Sequence, residues 1–187
     1  MNITKIIPEI NLVNSTDLKN KLIQIYQKIM VAGKWDENDL KKIPFTLLIP
    51  ELVDKTNNIP KINLIDHIRA VTKMSIAVYD IYEGLGLEKE LNRDELISGA
   101  ILHDIGKFVE YKKDNKGNIV PTQSGKILRH PAQGLELVAE FDLPLSVRQA
   151  IVFHSKEGDQ INRLPEVEII SRSDFLCFIP VKKILQK

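Results

Sequence analysis

The sequence predicts an all-α domain, a helical bundle interrupted by one small β-hairpin insert near residues 108–122. Three observations carry that reading. Apolar residues recur at helical spacing through most of the chain. Capping and breaking residues such as Ser15, Asn92, Pro131, Pro144 and Pro165 fall where those periods begin, and Gly33 and Gly84 where they stop. One stretch departs from the pattern, Phe108 to Tyr111 and Asn118 to Val120 flanking Asp114-Asn115-Lys116-Gly117, a turn in which Gly supplies the positive φ. At 187 residues, 43% hydrophobic and 27% charged, the chain suits a single globular domain, with a core over about 60–180 and an N-terminal helical extension over 1–60.

Taken in order, Ser15 or Asp17 caps a first helix carrying Leu18, Leu22, Ile25, Ile29 and Met30 on one face, closed by Gly33. Pro44, Pro50 and Pro60 break residues 34–60 into turns and small helices laid against the main body. A long helix over 63–83 buries Ile65, Ile68, Val71, Ser75, Val78 and Ile81. Asn92 caps the next, which runs from Arg93 to about His103 with Leu96, Ala100 and the residues around Leu102 inward. Pro131 and Pro144 open two further helices, reaching about Phe141 and His154. Pro165 opens the last, with Val167, Ile170, Asp174, Phe175 and Phe178 along it and a basic, solvated final turn. Trp35, Tyr79 and Tyr82 read as core or helix surface.

A formal charge of +1 gives no global pull toward nucleic acid or membrane. The single cysteine, Cys177, excludes an internal disulfide and reads as a buried thiol. The first residues lack the apolar core of a signal peptide, and no stretch approaches the roughly 18 apolar residues of a membrane span, so the cytoplasm is the expected location.

Chemistry concentrates in His103-Asp104, at the end of the apolar run Ile-Ser-Gly-Ala-Ile-Leu and before Ile105-Gly106-Lys107. Neighbours on a helix point about 100° apart, so both reach one ion only where the helix is ending. Gly106 supplies such an ending. An imidazole and a carboxylate together suit transition metals, and a carboxylate has a second oxygen with which to bridge two ions. The other three histidines, His67, His130 and His154, each sit near a helix end or on a helix flank. Asp174 lies mid-helix among apolar residues, where a carboxylate has to be paired or metal-bound.

The ordered set His67, His103-Asp104, His130, His154, Asp174, with the extended form Leu-His-Asp-Ile-Gly-Lys, resembles the HD-domain superfamily of metal-dependent phosphohydrolases over about residues 60–180. The resemblance implies an all-helical fold with its ligands lining a cleft. His67, His103, Asp104 and Asp174 would hold one metal, His130 and His154 would add a second, and Asp104 would bridge them. Where dinuclear relatives often show a His-His pair, this chain has His154-Ser155. The GYP motif of cyclic di-GMP phosphodiesterases is absent, and the stretch from Lys107 to Gly134 resembles HD exoribonucleases, which leaves RNA open as a partner.

The implied activity is hydrolysis of a small phosphorylated substrate, a nucleotide or relative, by metal-activated water. The implied cofactors are one or two divalent transition ions (Mn, Fe, Co, Ni or Zn), with oxygen-preferring Mg less suited. Asp104 would orient the ions, Lys107 would neutralise charge on the phosphate, and Arg69 and Arg129 would help to bind it. Two alternatives stand beside it: a di-iron oxygenase, a class that uses a similar four-His, two-Asp set, and a non-catalytic nucleotide-binding module, a class that typically loses ligands this chain keeps.

Overall fold

A computed structural model describes residues 2–46 and 60–185. The predicted break at Pro50 lies outside the described residues. Helix α1 (Ile3–Ile6) and a 3₁₀ turn (Pro8–Leu12) precede α2 (Thr16–Ala32), whose N-terminus is capped by the Ser15 side chain accepting from Leu18 N. α3 (Glu37–Leu40) opens on a reciprocal capping box between Asp36 and Asp39. α4 (Leu64–Gly84) and α5 (Arg93–Leu102) follow, capped by Asn63 and Asn92. α6 (Lys107–Glu110) leads into strands β1 (Tyr111–Lys113) and β2 (Ile119–Pro121), which pair antiparallel with Tyr111 opposite Pro121. α7 (Gln123–Ile127), α8 (His130–Val138), α9 (Leu145–Phe153) and α10 (Pro165–Leu185) complete the bundle.

α5 is the axis. Every residue from Leu96 to Leu102 is buried, because α4, α9 and α10 all pack on it. Gly99 admits that packing: a Cβ there would lie 2.9 Å from Ile170 Cδ1 and 3.1 Å from Ala150 Cβ. The N-terminal segment fills the far side, where Ile7, Ile10, Leu22, Ile25 and Tyr26 share one core with Ile68, Ile101 and Phe108. Polar ties hold it there. Asp94 accepts from the backbone nitrogens of Asn14 and Ser15, and buried Glu9 accepts from Arg69 Nε at 3.1 and 3.2 Å.

Several elements differ from their expected form. Residues 107–110 are helical rather than strand, since Val109 N and Glu110 N both bond to Gly106 O; the hairpin is confined to 111–121. Its turn is as anticipated, with Asp114 accepting from Lys116 N and Asn118 N and Gly117 at φ 80°. The short α7 carried no periodicity long enough to announce it. Ile81 is 60% exposed, beyond the packed part of α4, and Cys177 is half-buried rather than buried. α10 continues through Pro180 to Leu185, because Val181 and Leu185 pack on the core. Among the described residues no helix is long and apolar enough to cross a membrane.

Trp35 ties the N-terminal segment to the bundle. Its Nε1 donates to the carbonyl of Phe108 at 2.8 Å in a buried setting. Trp35→Phe should cost about 1–3 kcal/mol, mostly from the buried carbonyl left unpaired. Urea unfolding checks this, and an unchanged midpoint would refute it.

Candidate metal centre

Six side chains from five parts of the chain converge at one end of α5. The helix ends at Leu102, and the chain descends through tight i+3 turns, Ile105 N to Leu102 O at 3.0 Å and Lys107 N to Asp104 O at 3.0 Å. That tightening lets His103 and Asp104, neighbours in sequence, face one point: His103 Nε2 lies 3.4 Å from Asp104 Oδ2. His67, in the first turns of α4, places Nε2 3.5 Å from the same oxygen and 3.0 Å from Asp174 Oδ1 on α10. On the other side His130, the first residue of α8, sets Nε2 3.1 Å from Asp104 Oδ1, and His154, which ends α9, sets its own at 3.6 Å.

The helix ends at the His-Asp pair as expected, and Gly106 makes the convergence possible by a further property. Its φ is −65°, ordinary right-handed helix. What it supplies is space: a Cβ there would overlap the His130 carbonyl oxygen and lie 2.7 Å from Gly134 N. Backbone meets backbone, and α8 is drawn against the turn that carries Asp104.

The tautomers follow from hydrogen bonding. A carbonyl only accepts, so His103 Nδ1 donates to Ala100 O at 2.7 Å and His154 Nδ1 to Ala150 O at 2.9 Å. In both rings the hydrogen faces away and the Nε2 lone pair faces inward, the orientation that outer hydrogen bonds impose on metal-binding histidines. Burial lowers the pKa of His130 to about 4 against the pull of Asp104, and burial likewise lowers His67 despite its bond to Asp174. Both rings are therefore neutral donors near pH 7. For His103, burial works downward, but the nearby Asp104 charge leads the effects that outweigh it and the net shift is upward. The carboxylates stay ionised. Burial would raise Asp104, yet Lys107 and His103 hold it well below its ordinary value, and the His67 hydrogen bond leads the effects that bring Asp174 to about 2.

Two triads could each hold a metal ion, His67–His103–Asp104 and Asp104–His130–His154, with the ligand atoms of each within 4.8 Å of one another. The donor chemistry fits. His103 Nε2 and Asp104 Oδ1 are buried without a hydrogen-bond partner. Orphaned buried acceptors of this kind cost about 1–3 kcal/mol each, and a cation would satisfy both.

A cavity of about 540 Å³ opens above the centre. Lys107 sits on its floor, Nζ 2.7 Å from Asp104 Oδ2. Arg129 reaches the wall, its NH1 paired with Glu157 at 2.7 Å. Arg69 is not brought here; its Nε is spent on Glu9, outside the cavity. Sequence reading missed Glu110, Lys126 and Lys156 and the aromatic wall of Phe45, Phe175 and Phe178. The two lysines were discoverable, four residues before His130 and two after His154. Phe45 had no signal, since only the fold stacks it on His67 at 4.6 Å between ring centroids.

A helical bundle with a buried, carboxylate-bridged cluster of imidazoles defines a class of metal-binding domain. The HD domain family matches residues 64–177, more than half the chain, and the chain belongs to that family. HD domains bind divalent metals and are largely metal-dependent hydrolases. No curated protein and no solved structure matches the chain.

Proposed function

We propose that the chain is a metal-dependent phosphohydrolase acting on a small nucleotide-like phosphoester. The observation that carries this is the position of Asp104: one buried carboxylate offers an oxygen to each of two histidine pairs on the floor of a cation-lined cavity. His67, His103, Asp104 and Asp174 would hold one divalent ion, and Asp104, His130 and His154 a second. Imidazole-rich donors favour Mn, Fe, Co, Ni or Zn over Mg. Bound there, such ions supply Lewis acidity toward phosphate oxygens and a water acidic enough to attack near neutral pH.

The chain's own residues do the rest. Asp104 fixes the spacing of the two halves of the centre. Lys107, 11% exposed and held against Asp104, stands where it can neutralise a phosphate oxygen. Lys126, Arg129 and Lys156 add positive charge along the wall, which favours a phosphorylated substrate over the oxygenase alternative. Phe45, Phe175 and Phe178 offer flat apolar surface for a base. A cavity of this size suits a mononucleotide or a strand end rather than a duplex.

The test is a hydrolysis screen of nucleoside mono-, di- and cyclic phosphates after stripping with chelator and reloading with Mn, Co, Ni or Mg. Activity restored by a transition metal is the expected result; a reloaded protein inert toward every phosphoester would overturn the proposal. Thermal melting gives an independent readout. At metal 100-fold above Kd the linkage is worth about 2.7 kcal/mol, or roughly 5–10 °C in Tm for a chain of this length.

A further inference from the structure

Glu110 ends α6 and takes no part in either triad, yet it lines the cavity. His103 and His154 each follow a turn of helix, so carbonyls three or four residues back accept their Nδ1 hydrogens. His130 cannot use that device. It is the first residue of α8, with no helical turn behind it. The group facing its Nδ1 is the Glu110 carboxylate, Oε2 at 3.7 Å with the side chain 17% exposed. The terminal carboxylate torsion is soft, so a small rotation closes that gap to a hydrogen bond.

The backbone of Glu110 is held firmly enough for this. Its carbonyl accepts from Thr122 N at 2.8 Å and from Thr122 Oγ1 at 3.2 Å. Gly125 packs so closely that a Cβ there would overlap the same carbonyl. Thr122 is the first residue after the hairpin, so the hairpin returns the chain to pin Glu110 opposite His130.

We propose that Glu110 is a positioning residue: its carboxylate accepts the Nδ1 hydrogen of His130 and so aims the Nε2 lone pair at the second metal position beside Asp104 and His154. This rests on the two-ion form of the function proposed above. Outer carboxylates of this kind typically govern metal affinity by roughly 10–100-fold.

The experiment is calorimetric titration of chelator-stripped full-length protein with Mn²⁺ and, separately, Ni²⁺, resolving two binding events. Glu110→Ala should weaken one event by roughly 10–100-fold and leave the other unchanged. Glu110→Gln, whose amide oxygen still accepts the Nδ1 hydrogen, should recover most of the loss. Adding Glu110→Ala to His130→Ala should cause no further change. The proposal is overturned if both events weaken equally, if neither weakens, if Gln behaves as Ala, or if wild type binds one ion only. Because the readout is affinity, hydrolysis measured on the same samples tests the functional reading separately. Two binding events without turnover would sink that reading and leave this one to be decided by the titration.

Discussion

Asp104→Ala is expected to abolish stable metal binding and to lower phosphoester hydrolysis by about 10³-fold, the rate equivalent of roughly 4 kcal/mol of transition-state stabilisation. No other substitution in the centre should do as much, because Asp104 alone belongs to both triads. Losing His130 or His154 removes one imidazole from one triad; losing Asp104 removes the negative charge common to both. The effect has a second arm in the metal-free protein. Lys107 Nζ has Asp104 Oδ2 as its partner at 2.7 Å and is only 11% exposed, so deleting the carboxylate leaves a largely buried cation alone. That should cost about 3 kcal/mol of stability, part of which Lys107→Ala recovers in the double variant. Metal content by mass spectrometry, initial rates and urea unfolding measure the three quantities. Retention of both ions at wild-type turnover would show the bridging role to be wrong.

The second large effect is predicted away from the ligands. Gly106→Ala adds one methyl group, and that carbon would be driven into the carbonyl of His130 and the backbone nitrogen of Gly134. Side chains can swing away from such a clash, but backbone has to move as a unit. The cost should reach about 3 kcal/mol or more, at or beyond the upper end for overpacking. Relief comes from sliding α8 away from Asp104, which lengthens the 3.1 Å approach of His130 Nε2. Lower stability and loss of one of two bound ions are therefore expected together. A variant as stable as wild type would mean that the close approach is unimportant.

How far the sequence spoke depended on whether a feature was local. Caps were legible: Ser15 and Asn92 each accept from the backbone three residues on, and the Asp114–Gly117 turn forms as its residues demand. All six candidate ligands meet, because their order along the chain carried the resemblance that the fold then realises. Long-range pairing was not legible. Arg69 sits two residues from His67 but is taken by Glu9, sixty positions away, and nothing in either neighbourhood foretells it. Gly106 was legible only as a sign that the helix ends; its need for room is set by His130 and Gly134, which the fold alone brings against it. Glu110 was read as strand because Phe-Val-Glu-Tyr has β-forming residues; the carbonyl of Gly106 decided otherwise.

The shared core of the N-terminal segment and the bundle bears on where this protein can be cut. The HD match begins at residue 64, which invites a minimal fragment starting there. Such a fragment would discard Ile7, Ile10, Leu22, Ile25 and Tyr26, all essentially without solvent exposure in the intact chain. It would also strip the phenol donor from Ile101 O, two residues before His103, and uncover the Phe108 ring that Tyr26 meets edge-on at 5.9 Å. We infer that both regions fold as one unit, so a span trimmed to the family's limits would expose adhesive apolar surface and precipitate. Expression designs and sequence surveys that stop at residue 64 would cut through that shared buried core.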